Sequence, residues 1–154
     1  MNTSVKEVEK FQYLILAVQR QGNRMFNALL NKTGVTPSYA EVIRVLELRQ
    51  PLTLKDLGNL LICETGSPSR LVERMVKDGW IEKMIHPEDS RFVLLKLTIK
   101  GQETAEKVKI IEGEVYGRIE EKLSEEEMQV INDKLGKFLQ DFPIHETLIR
   151  RGYL

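Results

Sequence analysis

A single cysteine in 154 residues removes several possibilities at once. Cys63 alone allows no internal disulfide framework and no multi-cysteine zinc site. Histidine is nearly as scarce: His86 and His145 stand without paired Cys/His spacing, so neither a metal site nor another cofactor is expected. No apolar run approaches the roughly 20 residues that cross a bilayer. The opening stretch MNTSVKEVEKF lacks the apolar region of a signal peptide, so the expected location is the cytoplasm, away from membranes. An excess of one charge is missing too, because 23 basic residues face 23 acidic ones. That balance counts mildly against a nucleic-acid binder, since such domains often carry a basic surplus. The distribution softens the point: the net charge is +3 over residues 1–50, +1 over 51–100 and −4 over 101–154.

What is present fits one globular unit. The chain is 42% hydrophobic and 30% charged, a balance that folds rather than stays disordered. Its length can bury a real core. No internal repeat, low-complexity tract or flexible linker interrupts it, so residues 1–154 are expected to form a single domain.

Helical patterns dominate. Residues 5–32 carry Val8, Phe11, Leu14, Ile15 and Val18 at helical spacing, then Met25, Leu29 and Leu30, with Gly34 as the stop. Thr36–Pro37 is an N-cap followed by a first-turn proline, and opens a helix to about Arg49. Thr53 and Asp56 have capping spacing ahead of Leu54, Leu57, Leu60 and Leu61. After a turn, ICETG, the segment SPSRLVERMVKDG reads as an amphipathic helix. Pro68, Leu71, Val72, Met75 and Val76 face inward, while Ser67, Ser69, Arg70, Glu73, Arg74 and Lys77 face outward. A long helix follows from Thr98 or Ile99 to about Leu123, and SEEE caps a last one over 125–141. Pro143 is expected to end it, leaving IHETLIRRGYL as a tail.

Between these helices lies an exception. GWIEKMI and the apolar stretch from Phe92 flank the polar turn HPEDSR, the signature of a β-hairpin. Two helices joined by a tight turn and followed at once by a hairpin make a winged helix-turn-helix. The fold class expected is therefore mainly α with one small hairpin. In such a motif the second helix offers its outer face to a major groove about 12 Å wide. Serines near its start suit phosphate oxygens, and Arg70 and Arg74 lie one turn apart. The hairpin tip would carry Arg91 toward the narrow minor groove, with Asp89 close enough to orient it. His86 reads as a plain turn residue.

These residues carry a resemblance. Thr53 to Gly101 resembles the MarR family of bacterial winged-helix transcription regulators. Leu57–Gly58 stands at the family's Leu-Ala pair, SPSRLVER matches its recognition helix, and a glycine follows at Gly79. The wing's Asp-x-Arg is matched by DSR, and its Leu-Thr-x-x-Gly ending by LTIKG. The order of helices extends the similarity to about residues 8–141. Three positions depart from the pattern: Gly58 replaces alanine, Pro68 a small aliphatic residue and Ile62 a small turn residue. The tail beyond Phe142 has no counterpart.

The resemblance implies a DNA-binding lobe over 35–100 and dimerisation helices over 5–32 and 101–141. A homodimer would place each protomer on one half-site of a pseudo-palindromic operator in double-stranded DNA. The terminal apolar stripes agree, since a small winged core could not cover them all. The implied function is a repressor relieved by a small aromatic or anionic effector. The implied DNA contacts are Ser67, Ser69, Arg70, Arg74, Lys77, Arg91 and Thr53, with Asp89 supporting the wing. Tyr13 and Tyr39 are candidates for lining an effector cleft; the plainer expectation is core or interface tyrosines. Oxidant-sensing relatives carry a cysteine in the first helix, and this chain has none there. Cys63 is expected to be a buried packing residue, the alternative being a redox trigger that tilts the recognition helix. No catalytic constellation is visible, and the glutamates of 112–127 read as a solvated face. The chain is not expected to be an enzyme; the rival function is a winged-helix docking module for another protein.

Overall fold

The computed structural model describes residues 4–63 and 66–154. Glu64 and Thr65, in the middle of the expected ICETG turn, lie outside the described residues. The chain forms α1 (Ser4–Leu30), α2 (Pro37–Arg49), α3 (Leu54–Gly58) and α4 (Pro68–Lys77). The hairpin β1 (Ile81–Ile85) and β2 (Val93–Leu97) follows, then α5 (Ile99–Glu120), α6 (Glu125–Leu139) and α7 (Pro143–Arg150).

Local chemistry sets these boundaries. A 3₁₀ turn over Asn31–Thr33 closes α1, and Gly34 then adopts φ 77°, the left-handed conformation glycine takes without a Cβ penalty. Thr36, Thr53, Ser67, Thr98 and Ser124 each accept a backbone N–H three residues on, so every expected N-cap forms. Ser124 and Glu127 complete a reciprocal capping box. Helix α5 stops at Glu120, earlier than the expected Leu123.

The core sits between α2 and the elements wrapped around it. Val42, Ile43 and Leu46 of α2 are fully enclosed with Leu30, Leu57, Leu71, Met75, Ile81, Leu95 and Val108. The wing is antiparallel, with Ile81 opposite Leu97 and Ile85 opposite Val93. It gains a third rung that the sequence did not reveal. Leu52 exchanges backbone hydrogen bonds with Leu95 at 3.1 and 2.7 Å, and Gln50 Oε1 accepts the Leu97 N–H at 2.7 Å.

Three expectations change. Helix α3 is shorter than read: Leu60 and Leu61 are buried just beyond its end, and Leu54 is exposed. The tail is not a tail, because Pro143 begins α7 rather than ending the chain's structure. Gly152, at φ 80°, terminates α7: its N–H reaches the Ile149 carbonyl, and the Tyr153 N–H reaches that of Leu148. Finally, Glu112 is not on a solvated face. It is half-buried and accepts Arg44 Nε at 2.9 Å, joining α5 to α2.

Candidate nucleic-acid interface

The recognition segment is fixed at both ends, leaving one face free. At its start Ser67 Oγ accepts the Arg70 N–H at 3.4 Å, and Pro68 occupies the first turn. Pro68 lies beside Gly58, where an added Cβ would stand 3.5 Å from the proline ring. The two departures from the family pattern therefore touch, and the site has room for an alanine methyl. At the far end Gly79 takes φ 86° and donates to Val76, while Trp80 donates to Met75. This is a Schellman stop. Asp78 accepts the Tyr39 hydroxyl at 3.3 Å, and the Trp80 ring packs edge-on against Tyr39 at 5.3 Å. Lys100 Nζ lies 4.0 Å over the Trp80 ring and donates to the Asp78 carbonyl at 2.7 Å.

The LTIKG ending acquires a physical meaning from the same contacts. Thr98 donates its N–H to Trp80 O at 3.1 Å and its hydroxyl to Gly79 O at 2.6 Å. That hydroxyl also accepts the Gly101 N–H at 3.1 Å. A Cβ at Gly101 would sit 2.3 Å from the Trp80 carbonyl oxygen, so only glycine lets α5 approach the end of α4 this closely.

The outer face of α4 is open. Ser67, Ser69, Arg70, Glu73 and Arg74 line a shallow depression of about 540 Å³ with Gly66. Glu73 does not neutralise its arginine neighbours, because it pairs with Lys83 of β1. The side chains of Arg70, Arg74 and Lys77 make no hydrogen bond or ion pair among the described residues. Thr53 caps α3 by accepting the Asp56 N–H at 3.1 Å. Lys83 was not anticipated; no local spacing marks a wing lysine that tethers a recognition helix.

The wing tip is organised around one carboxylate. Arg91 Nε donates to Asp89 Oδ1 at 2.9 Å and Nη2 to Oδ2 at 2.7 Å, a two-point contact that leaves the Arg91 side chain 84% exposed. The Arg91 N–H adds a 3.1 Å bond to the same carboxylate. The Arg91 side chain, and then its backbone N–H, holds Asp89 below the usual carboxylate range, and Asp89 in turn raises Arg91. His86 Nδ1 accepts the N–H groups of Glu88 and Asp89 at 3.0 and 3.2 Å, shaping the turn.

Two expectations are corrected here. Within one chain Tyr13 and Tyr39 lie too far apart to line a common cleft. Tyr39 is buried in the lobe with Leu30, whereas Tyr13 is exposed on α1, about 25 Å farther along the helix axis at 1.5 Å per residue. Cys63 is exposed rather than packed, two residues past Leu61, the last buried leucine of this segment. Partial desolvation, and then the Glu41 carboxylate beside it, pushes its thiol up to about 11. A protonated thiol is a poor nucleophile, which argues against a redox trigger.

The lobe matches known proteins. Residues 35–101 fit the family profile described as a winged helix DNA-binding domain. The chain is 30% identical over 129 residues to the organic hydroperoxide resistance transcriptional regulator of Bacillus subtilis, covering 83% of this chain and 86% of that one. The chain belongs to the MarR family of winged-helix transcription regulators. It is also 27% identical over 127 residues to the multiple antibiotic resistance protein MarR of Escherichia coli, covering 82% and 88% of the two chains. A mutant of that MarR, solved with operator DNA, superposes with a TM-score of 0.75 at 26% identity, covering 86% of this chain and 96% of that one. This MarR-family chain is thus a DNA-binding transcription regulator, and its relatives are regulators rather than enzymes. Among the described residues no helix is long and apolar enough to cross a membrane. None of their His, Cys, Asp and Glu side chains gather in a group that could hold a metal ion.

Proposed function

We propose that the chain is a dimeric repressor that places α4 of each protomer in a major groove and Arg91 of each wing in the flanking minor groove. One observation carries this reading. Among the described residues the side chains of Arg70 and Arg74, on the open face of α4, make no hydrogen bond or ion pair, while the adjacent Glu73 is neutralised by Lys83. Unpaired guanidiniums on a helix face suit guanine edges and phosphates. Ser67, Ser69, Thr53 and Lys77 would serve the backbone, and Asp89 would present Arg91. Two-fold symmetry then calls for half-sites about one helical turn apart.

Dimerisation through the terminal helices is supported by their uncovered apolar faces. Effector relief would act by changing the spacing of the two lobes. A candidate effector cleft runs between α1 and α5, about 490 Å³ in volume, with Leu29, Ile110 and Ile111 beside Lys32, Lys107 and Glu114.

The test is fluorescence anisotropy against duplexes tiling the DNA around the chain's own gene, at two salt concentrations. Tight binding to one tile is expected, falling steeply with salt as phosphate contacts release counterions. Arg70→Ala or Arg91→Ala should weaken it by about 1–3 kcal/mol without altering the dimer. Unchanged affinity in both variants would misplace the interface. Equal, salt-insensitive binding to every tile would favour the docking module.

A further inference from the structure

The segment just past α3 is held from behind by one carboxylate. Glu41 of α2 has a side chain only 7% exposed. Its Oε1 accepts the Ile62 N–H at 2.8 Å and the Cys63 N–H at 2.9 Å, the two amides where the chain leaves α3. Its Oε2 accepts Arg151 Nη1 at 2.7 Å. Arg151 lies just beyond α7 and is 17% exposed. The same Nη1 reaches the Leu60 carbonyl at 3.5 Å, and the guanidinium lies 5.3 Å from the Tyr153 ring centre. The last residues of the chain thus grip the α3–α4 connection from two directions, across 110 positions of sequence.

We propose that Arg151 is a positioning residue for DNA reading: acting through Glu41, it sets the entry of the recognition helix and links operator affinity to the C-terminal helices. The proposal rests on the DNA-reading face described above. A carboxylate this enclosed is balanced by protein groups rather than water, so loss of the guanidinium leaves a buried charge leaning on two turn amides. The link continues by contact into the C-terminal helices of the proposed dimer. Helix α7 packs on α6, and Leu154 lies so close to α6 that a Cβ at Gly136 would stand 3.0 Å from it. The exit of α4 is anchored independently by Tyr39 and Lys100, so a shift of Arg151 pivots the entry of α4 rather than displacing the whole helix.

The experiment uses the full chain with Arg151→Met, Arg151→Lys and Glu41→Gln. Amide hydrogen exchange is followed in the free protein, and anisotropy on the duplex tile that the wild type binds most tightly. Arg151→Met should speed exchange at Ile62 and Cys63 while Val42–Leu46 keep wild-type protection. It should weaken binding roughly tenfold, within the usual range of coupling between sites. Arg151→Lys should recover part of both effects, and Glu41→Gln combined with Arg151→Met should cost little more than either alone. Wild-type exchange at Ile62 and Cys63 in Arg151→Met, or faster exchange spread equally over α2, would overturn the proposal, as would unchanged affinity. Should the wild type bind no tile, that result would count against the DNA-reading face, and the exchange measurement would still decide whether Arg151 positions the turn.

Discussion

The winged lobe and the terminal helices treat their apolar residues in opposite ways. In the lobe Val42, Ile43, Leu46, Leu71, Met75 and Leu95 are enclosed by the chain's own elements. On α1 and α6, Val8 is 70% exposed and Val130 58% exposed, although Val8 lies on a stripe as regular as any in the lobe. Periodicity reports that a face is apolar; it does not report whether the cover comes from the same chain. The lobe is covered by elements of its own chain, and the exposed apolar residues of the terminal helices would be covered by a second copy in the proposed dimer.

The sharpest way to break the lobe is Gly101→Ala. The new methyl would meet the Trp80 carbonyl oxygen at 2.3 Å, a backbone atom that cannot move without pulling on Thr98 and the end of α4. A loss of about 3 kcal/mol is expected in urea unfolding, at the upper end of overpacking costs. A change below about 0.5 kcal/mol would mean that α5 does not approach the recognition helix as described. The helical ends should fail differently. Val8→Asp and Val130→Asp disturb little within one chain, yet each would bury a charge in the expected dimer. Sedimentation equilibrium should show association weakened by about 2 kcal/mol or more, with the lobe's exchange protection retained. A dimer of unchanged strength in both variants would remove these faces from the interface.

The same contrast explains what the sequence revealed. Caps are written locally: Thr36–Pro37, Ser67–Pro68 and Ser124 with Glu127 announce helix starts because donor and acceptor lie three residues apart. The wing was equally plain, since apolar runs around HPEDSR leave few registers. Contacts made across the fold were invisible. Nothing near Arg151 points to Glu41, and nothing near Lys83 points to Glu73. The last helix was misread for a local reason. Pro143 reads as a stop for α6, whereas proline also starts helices, and Ile144, Leu148 and Gly152 spell out the rest. Cys63 shows the limit of residue type: it lies close to buried leucines in sequence yet is exposed.

That cysteine, at the seam between the two regions, gives the smallest expected effect and the finest probe. Its thiol rises from 9.0 to about 11, through partial desolvation and then the Glu41 carboxylate. A folded-state value raised above the unfolded one contributes stability that is fully present below pH 9 and is lost as pH climbs through 11. Because Cys63 is exposed, the increment is small, and Cys63→Ser separates it from Tyr39 and Tyr116, which are also raised. Reactivity is the more sensitive readout, since only the thiolate attacks an alkylating agent. Iodoacetamide should react slowly at pH 7 and accelerate to a midpoint near 11, and Glu41→Gln should lower that midpoint and speed the neutral reaction. A midpoint near 9 in both proteins would separate Cys63 from Glu41. With it would go the carboxylate that ties the lobe's reading turn to the C-terminal helices.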